Sequence, residues 1–132
     1  MNKQWDGLAL LGRVLLSVIF VISGEHKIAD FASTAVYITD KGLPAAQVLA
    51  ALTIAVELGG GLLLLLGWKA RWAALAIAAF TVLAAVLFHN FWAMTGPEAM
   101  NNQIHFMKNL AITGGMLMVA AFGPGRFSID KM

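Results

Sequence analysis

The sequence predicts an all-α membrane protein, a bundle of four transmembrane helices. Of its 132 residues, 60% are hydrophobic and 12% are charged, whereas ordinary soluble domains carry roughly 25% charged residues. A chain this short cannot hide so much apolar surface inside a soluble core, so lipid must be the solvent for most of it. Four apolar segments, at residues 8–24, 43–68, 72–92 and 104–122, are long enough to cross a bilayer, which takes roughly 20 residues.

The first segment is the shortest, and it follows the polar stretch MNKQW as the core of a signal peptide would. Arg13 interrupts its apolar run, and no small-x-small cleavage site ends it, so we expect an uncleaved helix. At about 1.5 Å per residue it reaches about 26 Å, which is just long enough. Backbone groups in lipid must be satisfied within each segment, which favours helices for all four segments. We therefore expect one domain over residues 1–132.

The connections between the segments set the predicted topology. GWKARW, between the second and third segments, has room only for a tight turn, whereas the linkers at 25–42 and 93–103 emerge on the opposite face. Positive charges are more frequent on the face of the turn and the termini, with Lys3, Lys69, Arg71, Arg126 and Lys131 there against Lys27, Lys41 and Lys108 on the other. The positive-inside rule therefore predicts that both termini are cytoplasmic.

Polar residues collect at three helix ends on the predicted non-cytoplasmic face. SGEHK ends the first segment, LFHNFW ends the third, and QIHFMKN opens the fourth, where residues 105, 108 and 109 share one helix face because of their i, i+3, i+4 spacing. The third and fourth segments are predicted to be antiparallel neighbours. We predict a ligand-binding pocket lined by His89, Asn90, Trp92, His105, Lys108 and Asn109, with Glu25, His26 and Lys27 at its rim.

A simpler interpretation of these helix ends remains open. Aromatic and lysine side chains collect at headgroup depth in most membrane helices, so the same residues could serve only as interfacial anchors. The pocket is favoured because polar groups turned towards lipid would cost free energy, whereas groups turned inward find a partner or a ligand. A metal site is disfavoured, since no HxxxH or HxxE pair occurs on one helix and the chain has no cysteine.

Two charged residues, Arg13 and Glu57, are predicted to lie deeper in the bilayer. An ionisable group at such depth costs on the order of 2.5 to 3.5 kcal/mol on insertion scales, so it normally faces a partner or water. We expect the two side chains to form a buried ion pair between the first two helices. The alternative is that Glu57 is a ligand-linked or proton-linked carboxylate at the floor of a cavity. The glycines at 59–61 indicate close helix packing rather than catalysis.

The segments together resemble a known family. GRVLLSVIFVISGEHKIADF, KGLP, VELGGGLLLLLGWKAR, FHNFW, QIHFMKNLAITGG and GPGRFSID, in this order over nearly the whole chain, are similar to the DoxX family of small bacterial inner-membrane proteins. The resemblance implies a four-helix integral membrane protein, associated in its relatives with thiosulfate:quinone oxidoreductase and with oxidative-stress and thiol enzymes. The characteristic segments of the family contain Arg13, Ser23, Gly24, Lys27, Glu57, His89, Asn90, His105, Lys108 and Asn109.

Three functional hypotheses follow. The first is a redox-linked inner-membrane subunit that binds a quinone, since imidazole and amide groups can hydrogen-bond a quinone carbonyl and lysine can stabilise developing negative charge. The second is a non-catalytic carrier or binder of a small hydrophobic or anionic molecule. The third is a membrane scaffold for soluble oxidative-stress enzymes. No nucleotide, haem or iron–sulfur motif is evident, so a redox role requires a quinone or a partner protein, and turnover by the chain itself stays open.

Lipid is the first partner that the composition predicts. The formal charge of +2 is small and scattered, which excludes nucleic acid as a partner. Soluble or membrane redox enzymes are the protein partners that the resemblance implies, and a homo-oligomer is compatible with the sequence.

Overall fold

The computed structural model describes residues 3–130, and over that range it contains helices and no strand. The helices are α1 (Lys3–Ala29), α2 (Phe31–Asp40), α3 (Ala46–Leu66), α4 (Ala70–Phe88) and α5 (Gly96–Phe122), with a 3₁₀ turn at Phe91–Ala93. All of these except α2 belong to four spans that are long and apolar enough to cross a membrane, and the 3₁₀ turn ends the third span, Ala70–Ala93. The predicted fold class is therefore confirmed. The cytoplasmic location of the termini stays a prediction, and Lys131, used in that argument, lies outside the described residues.

Two of the predicted linkers are largely helical. The linker at 25–42 contains the end of α1 and the whole of α2, which is a 10-residue helix and is too short to span a bilayer. The linker at 93–103 contains the first two turns of α5, which starts at Gly96 rather than near residue 104. Pro97 favours that start, because its fixed φ suits the first turn of a helix and its missing N–H is not needed there.

Glycines permit close packing of the spanning helices. A Cβ on Gly24 of α1 would lie 2.8 Å from the Cβ of Leu58 in α3, so only glycine fits at this crossing. A Cβ on Gly61 would lie 3.1 Å from the side chain of Val21, and one on Gly60 would lie 3.1 Å from Ile77 of α4. Small residues let helix backbones approach each other closely in membranes, so two of the three consecutive glycines serve helix packing.

A π-helical turn interrupts α3 at Ala55–Gly60. Such a turn accommodates one additional residue and changes the direction of the side chains that follow the regular helix, and it is frequent at functional sites. Glu57 lies within this turn and is 5% exposed. The π-helical turn therefore sets the position of Glu57, the residue that the sequence predicted to lie deep in the bilayer.

The expected Arg13–Glu57 ion pair does not form, because Arg13 binds the C-terminal segment, defined here as residues 123–130. The Arg13 guanidinium donates hydrogen bonds to the carbonyls of Pro124 and, at 2.7 Å, Phe127. A longer bond of 3.4 Å reaches the carbonyl of Leu65 near the end of α3. A planar guanidinium has several donors in a fixed geometry, so a single side chain joins α1, α3 and the C-terminal segment.

The C-terminal segment is also bound to the turn between α3 and α4. The backbone N–H groups of Ile129 and Asp130 donate to the carbonyls of Leu66 (3.1 Å) and Gly67 (2.7 Å). The Asp130 carboxylate accepts the backbone N–H groups of Lys69 and Ala70, each at 2.8 Å. It thereby satisfies two donors at the start of α4, as an N-cap would. We call this arrangement, with Arg13, the clasp.

Candidate functional site

A cavity of about 290 Å³ lies at the end of the bundle opposite the clasp. Every described helix contributes to its wall: α1 and α3 on one side, α4 and α5 on the other, and α2 at the outer end. Its apolar wall includes Ile19, Phe20, Ile38, Phe80, Phe88 and Ile112. Its polar side chains are Ser23, Lys27, Thr34, Tyr37, Thr53, Glu57, Thr81, His89, His105 and Asn109.

Two histidines predicted for the site face each other across the α4–α5 connection. The rings of His89 and His105 stack with centroids 5.0 Å apart, and both line the cavity. The Asn102 amide nitrogen donates to the Glu98 carbonyl at 3.0 Å, which leaves its side-chain oxygen to accept. The Nδ1–H of His89 therefore donates to that oxygen, at 2.9 Å. This fixes the tautomer and leaves Nε2 of His89 for another partner.

On the α4–α5 side of the cavity, the Asn109 side-chain oxygen can accept a hydrogen bond and the Thr81 hydroxyl can donate one. The Asn109 amide nitrogen donates to the backbone carbonyl of Thr81 at 3.3 Å, which joins the two helices. The Thr81 residue is 3% exposed, and its hydroxyl has no hydrogen-bond partner within residues 3–130. A buried hydroxyl without a partner costs on the order of 1 to 3 kcal/mol, so a hydrogen-bond acceptor placed beside this group would remove a free-energy cost.

On the opposite side of the cavity, Lys27 forms an ion pair with Glu57, with Nζ and Oε1 2.6 Å apart. The direction of helical side chains explains the pair. Each Cα–Cβ bond tilts towards the N-terminus of its own helix, and α1 and α3 run antiparallel. Lys27 therefore points inward from the end of α1, and Glu57 points outward from the middle of α3. Lysines near helix ends usually extend towards the interface, so this inward direction reflects a specific partner.

The structure separates the remaining predicted residues from the cavity wall. The Asn90 side-chain oxygen accepts a hydrogen bond from Lys41 at 3.3 Å. Trp92 is 58% exposed and packs edge-on against Phe91 and Phe106, as an interfacial anchor does. Lys108 is exposed and does not line the cavity. His105 and Asn109, which have i, i+4 spacing, therefore face the cavity. Lys108, which was predicted to share their face, does not.

Among the three predicted rim residues, only Lys27 lines the cavity. Glu25 and His26 are exposed at the end of α1. His26 borders a separate groove beside α2. The structure therefore places one of the three predicted rim residues on the cavity wall, and the role of that residue in binding stays a prediction.

Several cavity residues lie in stretches that showed no polar pattern in the sequence. Thr81 is a single hydroxyl within an apolar run, and Thr34 and Tyr37 belong to the helix that the sequence did not predict. Partial burial raises the pKa of the Tyr37 hydroxyl above its ordinary value, so at neutral pH it stays protonated and can donate a hydrogen bond. A threonine in a membrane helix is only a weak indication of a binding site, because its hydroxyl normally donates a hydrogen bond to the preceding turn of its own helix.

The cavity combines apolar walls with dispersed hydrogen-bonding groups. Within residues 3–130, no group of three or more His, Cys, Asp or Glu side chains is arranged to hold a metal ion. The one ion pair on its wall is formally neutral. The arrangement is suited to an uncharged molecule with an apolar body and polar atoms at its edge, which is the usual composition of a small-molecule site.

Comparison with known proteins gives consistent matches. The family model described as DoxX matches residues 8–90. The inner membrane protein YqjF of Escherichia coli is 41% identical over 132 residues, which cover 100% of this chain and 96% of that protein. The inner membrane protein YphA of the same organism is 34% identical over 124 residues, covering 94% of this chain and 89% of that protein. No solved structure matches the chain significantly.

Proposed function

This chain belongs to the DoxX family and is a multi-pass inner-membrane protein, and from that premise we propose that it binds a small, uncharged molecule of the quinone type in the cavity. The observation that carries the proposal is the buried Thr81 hydroxyl, which lines the cavity without a partner within residues 3–130. A ligand carbonyl oxygen would accept from this hydroxyl. The stacked histidines, of which His89 presents Nε2, supply the second polar contact.

The volume of the cavity is suited to the headgroup of a quinone rather than to a whole lipid molecule. Its volume of about 290 Å³ is at the lower end of the roughly 300–1,000 Å³ that small-molecule sites span. The aromatic side chains of Phe20, Phe80 and Phe88 on its wall offer faces and edges against which a planar ring can pack. A ring of quinone size with one or two carbonyls fits these features.

The exposure of Ile19 at the cavity wall supports entry from the bilayer. Helices α1 and α5 touch where a Cβ on Gly115 would lie 3.0 Å from the side chain of Leu16. One turn further along α1, Ile19 lines the cavity and is 50% exposed. Ile112 of α5 also lines the cavity, so an apolar tail on the ligand can extend past Ile19 into lipid.

Charge favours an uncharged ligand over an anion. The Lys27 ammonium already faces the Glu57 carboxylate, so an entering anion would gain little from the lysine and would be repelled by the glutamate. In a redox-linked system, the electrons for a bound quinone would come from a partner protein, because the sequence has no cysteine and no motif for a haem, nucleotide or iron–sulfur cofactor.

The test is a thermal-unfolding titration in mild detergent with a short-chain ubiquinone analogue. A ligand at 100 times its Kd stabilises the folded state by about 2.7 kcal/mol, so Tm of the wild type should rise. An alkylbenzene of equal chain length, which lacks carbonyls, should raise it much less. A wild-type Tm that responds equally to both compounds would refute the proposal.

The matched pair of variants is Thr81→Val and Thr113→Val. Thr113 donates its hydroxyl to the carbonyl of Asn109 at 2.8 Å and does not line the cavity. Thr81→Val should abolish most of the analogue-dependent shift without lowering the Tm of the free protein, since it removes an unpartnered buried hydroxyl. Thr113→Val should keep the shift and lower the Tm of the free protein slightly.

A further inference from the structure

A groove lined by seven residues that each carry a polar group adjoins the cavity. It lies between the end of α1 and α2 and has a volume of about 440 Å³. The side chains that line it are Ser23, His26, Lys27, Asp30, Ser33, Thr34 and Tyr37. Four of these, at positions 23, 27, 34 and 37, line the cavity as well. The groove and the cavity are therefore neighbouring spaces that share one polar wall.

The polar groups that line the groove disfavour acyl chains as its occupant. Polar groups in hydrocarbon cost several kcal/mol each when they lack partners, on the order of 4 to 8 for transfer from water to an alkane. Within residues 3–130, only Thr34 among the seven lining side chains donates a hydroxyl hydrogen bond to protein, at 3.2 Å to the Asp30 carbonyl. Lys27 is paired with Glu57, and water can satisfy the other polar groups of the lining.

The groove reaches the level of the ion pair. Ser23 lies six residues before the end of α1 at Ala29, which is about 9 Å along the helix. The side chain of Lys27 is 31% exposed, whereas that of its partner Glu57 is 7% exposed. Lys27 thus borders the groove on one side and contacts a carboxylate in the bundle interior on the other.

We propose that this groove is a water-filled entrance through which the Lys27–Glu57 ion pair exchanges water and protons with the aqueous phase at this end of the bundle. The cavity then has two approaches of different chemistry. The cavity wall at Ile19 opens to lipid, and the groove at Ser23 opens to water. An occupant could take its apolar part from the bilayer and exchange protons with water through the groove. The proposal is independent of the identity of the ligand.

The absence of cysteine from the 132-residue sequence permits a direct test with single-cysteine variants. Thiosulfonate reagents react with the thiolate, which forms readily in water and poorly in apolar surroundings. The reporter is Ser23→Cys. The two reference positions are Ser33→Cys, at the exposed mouth of the groove, and Ser17→Cys, which is also in α1 but is fully buried, with 0% exposure.

Modification rates are measured in nanodiscs, which expose both membrane faces, with a charged, lipid-insoluble thiosulfonate. The Ser23→Cys rate should lie within about tenfold of the Ser33→Cys rate, because both thiols ionise in water. If the logarithm of the Ser23→Cys rate is closer to that of Ser17→Cys than to that of Ser33→Cys, the proposal is overturned. Quantitative labelling of all three variants after denaturation checks that each thiol is intact.

A second variant keeps the test specific to the groove. Thr34→Phe, added to Ser23→Cys, fills the shared wall between the groove and the cavity and should slow labelling at position 23 by at least about tenfold. It should leave labelling of Ser33→Cys at the mouth within a factor of about two. Equal labelling of position 23 with and without the phenylalanine would mean that the reagent arrives by another route, which contradicts the proposal.

Discussion

The two ends of the bundle use buried polar groups in different ways. At the clasp, Arg13 and Asp130 face backbone groups and bind them directly. At the cavity, the Thr81 hydroxyl faces a void and has no partner within the described residues. Polar groups that bind other parts of the protein directly hold a fold together, and those that line a cavity without a partner are available to a ligand. Arg13 Nε and one oxygen of Asp6 are also buried without a hydrogen-bond partner within residues 3–130, but neither Arg13 nor Asp6 lines the cavity.

The largest effect on stability is expected at the clasp, from Arg13→Gln. Hydrogen bonds from a charged donor contribute about 1.5 to 3 kcal/mol each, and the substitution removes donors from two close carbonyl acceptors. We expect a free energy of unfolding lower by about 3 kcal/mol or more, measured by thermal and denaturant unfolding in detergent. The control is Arg71→Gln, since Arg71 is exposed. Similar unfolding of both variants would show that the clasp does not stabilise the bundle.

An intermediate effect is expected from Glu57→Gln, which leaves the Lys27 ammonium without its partner. Removal of one member of a buried pair costs about 3 to 5 kcal/mol, and the partial exposure of Lys27 reduces this to about 1 to 3 kcal/mol. Adding Lys27→Gln should recover part of the loss.

Combining Glu57→Gln with Arg13→Gln distinguishes this pair from the one that the sequence predicted. Residues that do not touch have additive effects within about 0.5 kcal/mol, so these two losses should add. A recovery of stability in the Arg13→Gln/Glu57→Gln double variant would instead show that the two side chains interact.

A smaller effect is expected from Asp130→Ala. Its carboxylate accepts two backbone N–H groups at the start of α4, and loss of a helix cap typically costs about 1 kcal/mol. Unfolding in detergent should show a loss of this size, whereas ligand binding at the opposite end should be unchanged. Asp40→Ala is a suitable comparison, since Asp40 is exposed at the end of α2. Reduced ligand binding in Asp130→Ala would imply that the two ends are coupled.

The sequence predicted the parts of this structure that depend on hydrophobic length and local spacing. Four long apolar segments predict four spanning helices, and i, i+4 spacing predicts that His105 and Asn109 share a face. The partner of Arg13 could not be predicted, because the C-terminal segment that it binds is 111 to 114 residues away in the chain. Lys27 was assigned to a rim because local spacing does not show that antiparallel helices turn its side chain towards Glu57.

Thr81 was not predicted as a cavity residue, because nothing in its sequence surroundings distinguishes it. An isolated threonine in an apolar run has no periodic partner, and only the packing of five helices around a void gives its hydroxyl a distinctive environment. His89 and His105, by contrast, are unusual residue types at the ends of apolar segments. Sequence reasoning identifies unusual residue types readily, whereas ordinary residues in unusual environments require the three-dimensional arrangement.

The most direct test of the claim that the cavity end is built for a ligand is native mass spectrometry of protein released from its own membranes. The wild type and Arg71→Gln should carry a small carbonyl-bearing molecule in near-stoichiometric amount. Thr81→Val should lose this molecule while its Tm, measured without ligand, stays at or above that of the wild type. Wild-type protein that is free of any bound small molecule, or equal occupancy in wild type and Thr81→Val, would contradict the account.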